Sequence, residues 1–483
     1  MRLIWLSLGM TVATTIGVSF YRAYGLPGQE IASAVPAEQI EVAAVSERLQ
    51  QAIRIPTVST GKADQAYQPF ADFQAFLRSS FPRVFSTLDV QVVNQHSLLL
   101  RWPGSDLTLQ PDMLIAHQDV VPVGDLANWQ HPPFAGHNDG EMIWGRGTLD
   151  DKSSLMAILE AAELMLAQGL QPKRTLYFGF GHDEEVGGAN GAAAIAELMQ
   201  TQQIRPRFIL DEGGIIAKPG MLPGLIQPVA MLGIAEKGYL NLRLTTQADG
   251  GHSSSPASDT AISRLTEVLQ ALHDEPFVQR LDYLDMTFST ASESMGFPER
   301  VLFSNLWLFG NILKPVISGL KSANAMTRTT MVPTILDAGF KENVIPRQAS
   351  AIFNFRLLPG DTDESVIAHV KQVAGEDVSI EILDYNPPSP MGSADNEAYG
   401  LIRQAIQQSW QQQEPLVVAP YLMYAGTDLA NYYDVSDSQY RFMFVPLNNE
   451  ELGTMHNVNE RIRISDYVGM INFYYRLMHL SAM

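Results

Sequence analysis

Cysteine is absent from the 483 residues. That removes disulfides, zinc–thiolate sites and cysteine nucleophiles, so any bound metal must be held by His, Asp and Glu. The absence fits either side of a membrane and leaves the compartment open. Basic residues are scarce: 32 Lys and Arg stand against 52 Asp and Glu, a net charge of −20. A nucleic-acid backbone or an anionic membrane surface is disfavoured as partner. Internal repeats and low-complexity tracts are also lacking, which argues against a solenoid. Charged residues make up 17% and hydrophobic ones 46%, an ordinary globular composition with ample core material. A chain of this length exceeds what one core usually serves, so two domains are expected.

One long uncharged run exists, residues 3–20, flanked by Arg2 and Arg22. Its length suits a membrane span or a long signal-peptide core. Tyr21, Arg22 and Tyr24 replace the small residues of a cleavage site, so residues 1–25 are expected to be an uncleaved anchor with the body exported, rather than a cleaved signal peptide. The flanking arginines are balanced and do not fix orientation.

From Pro36 onward the pattern is globular. Residues 36–234 alternate strand and helix signals, among them DMLIAH, the helical DKSSLMAILEAAELMLAQG, TLYFGF and RFIL. Such alternation argues for an α/β domain, a mostly parallel sheet flanked by helices. After Gly233 the strands YLNLRLTT and SAIFNFRLL alternate apolar and polar residues, as antiparallel strands with one wet face do. Each precedes a helix candidate, so residues 235–385 are expected to form an inserted α+β lid domain. Residues 277–336 show no clear period and are expected to elaborate that insert. The linker DYNPPSPMGSADN leads back, and residues 393–483 complete the first domain.

The strand ends carry the chemistry. DMLIA ends on His117, with Asp119 two residues on; WGRGT leads to Asp150 and Asp151; TLYFGF ends on His182, Asp183, Glu184 and Glu185; RFIL ends on Asp211 and Glu212. In a parallel α/β sheet, ligands gather beyond the carboxyl ends of the strands. Four segments therefore aim acids and a histidine at one edge. Burying them unpaired is very costly, whereas two divalent cations would cancel the charge and form a hydrolytic centre.

GRGTLDDK, GHDEEVGG, LDEGG and GTMHNVNE occur in that order. With them the chain resembles the di-zinc metallopeptidase family of carboxypeptidase G, the aminoacylases and the desuccinylases, on its carboxypeptidase S branch. The resemblance covers nearly everything after residue 40. It implies that His117, Asp150, Glu185, Asp211 and His456 hold two zinc ions, with manganese or cobalt as substitutes, and that Asp150 bridges them. It also implies that Asp119 orients His117, that Glu184 is the general base, and that the Asp150–Asp151 peptide is cis. His182 and Asp183 are expected to be supporting residues. From the insert, His252 would stabilise the oxyanion, in many relatives across a homodimer, while Asn343 and Arg356 would contact substrate, the arginine gripping a carboxylate. Gly426 and Thr427 resemble a loop near that carboxylate, although Leu429 and Ala430 depart from the family pattern.

The reaction so implied is hydrolysis of the amide bond to a C-terminal amino acid, with a small peptide as substrate. An N-acyl amino acid is the alternative substrate, and Phe303, Trp307, Leu308 and Phe309 are then candidates to wall an acyl pocket, with plain packing the simpler expectation. A non-catalytic metal protein would need no spare base such as Glu184. A calcium-binding surface protein would need neither histidine.

Overall fold

The protein was analysed as a computed structural model that describes residues 2–25 and 28–483. Met1 and the side chains of residues 2–4 and 6–9, all within the expected anchor, lie outside the described residues.

The main sheet has ten strands. Its centre is the parallel trio Leu176–Gly181, Asp112–His117 and Ile209–Asp211, every residue of which is buried. Continuous burial explains the unbroken apolar sequence of these strands, which helices cover on both faces. Helix Lys152–Ala167 lies across one face, buried along most of its length, and packs on the C-terminal helix Ile464–Ala482. Gln439–Arg441 pairs parallel with Ile209–Asp211, and Val417–Met423 runs parallel to Val229–Glu236. The outer pair Asp89–Val93 and Ser97–Trp102 is antiparallel, so the sheet is mixed at its margin and parallel where the site lies.

The insert is a four-stranded antiparallel sheet. Its order is Thr330–Ala338, Gln348–Leu357, Gly238–Gln247, Ser379–Asn386. Alternation along Gly238–Gln247 and Gln348–Leu357 sends Leu240, Leu242, Leu244, Phe353 and Phe355 to one face. There they meet helices Ala261–Asp274 and Asp363–Ala374 in a separate core. Both helices begin with a threonine capping box, at Thr260 and Thr362, which satisfies amides that the first turn leaves free.

The stretch between these lid elements departs from expectation. It folds as helices Asp282–Ala291, Phe297–Phe303, Leu306–Gly319 and Lys321–Thr327. Asp282–Ala291 packs on Val417–Met423 of the catalytic sheet, and the helices share a small core of Leu284, Phe288, Met295, Leu306, Ile317 and Met326. The period of Leu306–Gly319 was hidden because its only polar residues are Asn311, Lys314 and Ser318 and it carries Pro315 inside. Phe303 stacks on Phe288 at 4.4 Å, while Trp307 and Leu308 are exposed.

Residues 2–20 form one helix, continued by a π-turn Tyr21–Gly25. Among the described residues no single helix is long and apolar enough to cross a membrane; the pair Phe297–Phe303 and Leu306–Gly319, bent by 105°, passes on length and composition.

Candidate metal centre

His117 ends its strand at the carboxyl edge of the sheet, 1% exposed. Its Nε2 lies 2.9 Å from Asp150 Oδ1 and 3.3 Å from Glu212 Oε1. Its Nδ1 lies 3.0 Å from the Asp119 carbonyl oxygen and 3.3 Å from Asp119 Oδ1. Asp119 does more than orient the imidazole. Its two carboxylate oxygens accept the backbone amides of Glu184 and Glu185, each at 3.1 Å, so one buried acid positions both the histidine and the pair of glutamates.

Asp150 sits at the start of helix Lys152–Ala167, and the Asp150–Asp151 peptide is cis. Its second oxygen lies 2.8 Å from His456 Nε2, which is also 3.2 Å from Glu185 Oε2. Glu185 Oε1 accepts the amide of Val121. His456 adopts φ +56°, a backbone region costly for a residue with a side chain, in a turn that aims its ring inward.

Two sets of ligand atoms converge within 4.8 Å of one another: His117, Asp150 and Glu185, and His117, Glu184 and Glu212. Asp211 and His456 belong to neither set, His456 reaching the first through Asp150 and Glu185. Asp211 Oδ1 accepts the amide of Glu212, and its Oδ2 accepts the amide of Leu429 at 3.2 Å. Glu212, one residue on, reaches His117 in its stead. Neighbouring residues point to opposite sides of an extended chain, and the adjacent acids D-E give no sign of which faces the crevice.

The protonation pattern is that of a site built for cations. Burial pushes the Glu184 and Glu212 carboxyls well above the ordinary range, and lifts Asp211 to about 7. Burial alone would lower the His117 imidazole, but Glu212, Asp119 and Asp150 outweigh it and raise it. Hydrogen bonds to Asp150 and Glu185 lift His456 to about 10. Asp150 is desolvated too, yet the two histidines hold it below the usual carboxylate range. Protons thus occupy places where positive charge is needed. Nitrogen and carboxylate donors without sulfur suit zinc, manganese or cobalt, and metal binding would displace those protons.

Glu460 is a positioning residue that sequence reasoning passed over, although it closes the motif TMHNVNE. It is fully buried. It pairs with Arg146 at 2.5 Å and accepts the amides of Gly147, Leu149 and Asp150. The loop carrying Asp150 is therefore wrapped around one carboxylate. A second overlooked group is Glu236, bound by Arg441, Thr427 and Tyr433 at 2.9, 2.9 and 2.8 Å. Thr427 is thus tied to a buried ion pair, while the surroundings of Gly426 are open.

The remaining candidates lie on the insert. His252 is exposed on the short ribbon Gly251–His252 paired with Val344–Ile345, its Nδ1 bonded to Ser254. Asn343 joins the same ribbon through its carbonyl, which accepts the Ser253 amide. Arg356 lies over the Tyr239 ring at 4.7 Å. The structure therefore gathers His117, Asp119, Asp150, Glu184, Glu185 and His456, and sets His252, Asn343 and Arg356 on the lid.

Residues 113–480 match the profile of peptidase family M20/M25/M40. The chain belongs to that family. This M20/M25/M40 chain is 41% identical over 440 residues to a probable carboxypeptidase S-like protein of Dictyostelium discoideum, covering 90% of this chain and 84% of the other. It is 36% identical to an N-fatty-acyl-amino acid synthase/hydrolase of Mus musculus, at 92% and 90% coverage. It is 29% identical to carboxypeptidase S of Saccharomyces cerevisiae, at 89% and 82%. Among solved structures, an M20 metallo-carboxypeptidase of Sulfolobus solfataricus superposes with a TM-score of 0.66 at 16% identity, covering 92% of this chain and 99% of that one. Human carnosine dipeptidase 1 superposes at 0.60 and 14%, covering 92% and 99%. These likenesses establish the fold, an α/β catalytic domain with a lid.

Proposed function

We propose that this peptidase is a two-metal carboxypeptidase that hydrolyses the amide bond to a C-terminal amino acid. The observation that carries the reading is a division of labour among adjacent acids. Glu185 meets His456 and Glu184 the His117–Glu212 side, both fixed by Asp119 through their backbone amides. His117, Asp150, Glu185, Glu212 and His456 would hold two zinc ions, with Glu212 in the place first given to Asp211. Bound there, the ions would acidify the attacking water and polarise the scissile carbonyl.

Glu184 takes the proton of that water and delivers it to the leaving nitrogen. Burial raises its proton affinity, which favours its holding the proton between the two transfers. Arg356 grips the substrate carboxylate, since a planar guanidinium matches a carboxylate fork, with Asn343, Gly426 and Thr427 completing the substrate cradle. Closure of the lid, or the lid of a second copy in a homodimer, brings exposed His252 to the oxyanion. Residues 3–20 anchor an exported body at a membrane.

Glu184→Gln tests the reading. Metal content should be retained and turnover of an N-blocked dipeptide should fall at least ~10³-fold; unchanged turnover removes the assigned base. The relative from Mus musculus supports a second substrate class, N-acyl amino acids. A panel pairing blocked dipeptides with long-chain acyl amino acids separates the two, because activity confined to dipeptides leaves no acylase.

A further inference from the structure

The helix Leu306–Gly319 has more apolar surface than the protein covers. Its inner stripe, Leu306, Gly310, Leu313 and Ile317, packs into the satellite core. Its outer side carries Leu308, Ile312 and Val316, spaced four apart, with Trp307 beside them. Trp307 is 56% exposed, Ile312 74% and Val316 60%. Apart from the thin polar stripe Asn311, Lys314 and Ser318 the helix is apolar; broad apolar surface belongs inside a protein or against lipid, and here only one side of it is inside a protein.

Two further observations say what covers the rest. The first is continuity with the apolar N-terminal helix. Asn305, the residue just before helix Leu306–Gly319, donates to the carbonyl of Ser19 at 3.0 Å. Arg22 donates to the Ser304 carbonyl, and Arg300 to the Ala23 carbonyl. Phe297 meets Phe20 and Tyr24, each at 6.0 Å between ring centres. The uncharged helix therefore leaves the body at the very point where Leu306–Gly319 begins. Phe20, Tyr21, Tyr24, Phe297 and Trp307 surround that point, all exposed; aromatic residues favour the boundary between headgroups and acyl chains.

The second observation is charge. In a chain of net charge −20, residues 301–336 contain neither Asp nor Glu, and they carry Lys314, Lys321 and Arg328. The repulsion that keeps the rest of the molecule from an anionic surface is locally reversed, as in helices that lie in a membrane interface.

We propose that the outer face of helix Leu306–Gly319 rests in the headgroup–acyl boundary of an anionic bilayer, as a second membrane contact beside the N-terminal helix. The catalytic domain is then held against the membrane at two points instead of swinging on one tether. This orientation is independent of the reaction, so its failure would leave the carboxypeptidase reading untouched.

Because the chain has no cysteine, a single thiol reports cleanly. Full-length Ile312→Cys and Lys341→Cys, the latter on an exposed lid turn, are labelled with a polarity-sensitive fluorophore. Each is reconstituted into vesicles of phosphatidylcholine with phosphatidylglycerol. The Ile312 label should shift to the blue and lose most of its quenching by aqueous iodide, while the Lys341 label keeps both properties. Val316→Cys, labelled in the same way, repeats the reading should the first variant misfold. Lys314→Glu with Lys321→Glu should restore quenching at Ile312. Equal quenching at Ile312 and Lys341 in vesicles overturns the proposal. So does protection of Ile312 without lipid that grows with protein concentration, since a second copy would then cover the face.

Discussion

His456 Nε2 lies 2.8 Å from Asp150 Oδ2, while the other oxygen of the same carboxylate lies 2.9 Å from His117. One aspartate thus stands between two imidazoles supplied by distant parts of the chain. Asp150→Asn should halve the charge available to both metal positions at once, leaving less than about one metal per chain and turnover down at least ~10³-fold. Elemental analysis of the purified variant beside its activity checks this; full metal occupancy would show that Asp150 bridges nothing.

The pair Asp211 and Glu212 offers a sharper comparison. Glu212 faces His117, whereas Asp211 spends both oxygens on the amides of Glu212 and Leu429. Glu212→Gln should therefore weaken metal affinity by about 10–100-fold or more. Asp211→Asn should keep the metals and loosen the turn Asp428–Asn431. Competition with a chelator gives the affinities. The reverse ranking would restore Asp211 as the ligand.

The contrast shows what a sequence of this kind discloses. His117, Asp150, Glu184, Glu185 and His456 were legible because strand ends and their spacing announce a crevice, and the family resemblance assigned the roles. Which of two adjacent acids faces that crevice depends on the register of strand Ile209–Asp211 against Gln439–Arg441, a long-range property. Helix Leu306–Gly319 was illegible for a different reason: its polar stripe is only Asn311, Lys314 and Ser318, too thin to mark a face, and Pro315 stands inside it. Two strands of the insert's sheet, Gly238–Gln247 and Gln348–Leu357, and its two helices, with strict alternation and ordinary periods, were read in place; edge strand Thr330–Ala338, exposed along most of its length, was not.

Glu460 separates positioning from stability. It is wholly buried against Arg146 and holds three amides of the Asp150 loop. Glu460→Ala would leave Arg146 buried without its partner, at a cost of roughly 3–5 kcal/mol. Thermal unfolding should shift down by several degrees. Arg146→Met combined with Glu460→Met should recover much of that stability, because no charge is then stranded. It should not recover metal affinity, because the loop amides still lack their acceptor. If the double variant regains both, Glu460 serves the fold alone.

Lys237 makes a pH prediction with a definite sign. It is 3% exposed, and its ammonium donates to the carbonyls of Ala325 and Arg328 at 2.8 Å. Burial, helped by the nearby Arg356, pulls it down from 10.5 to about 7. Between those two values the unfolded chain holds a proton that the folded chain lacks. Stability from this residue therefore rises with pH across that window, by up to about 1.4 kcal/mol per pH unit. Below pH 7 both states carry the charge and the burial penalty is at its largest. Lys237→Met should flatten the dependence of the urea midpoint on pH between 7 and 10, relative to the parent protein. An unchanged slope would mean that the folded ammonium keeps its proton throughout, held by an acid such as Asp361, which acts on it in the opposite direction to Arg356.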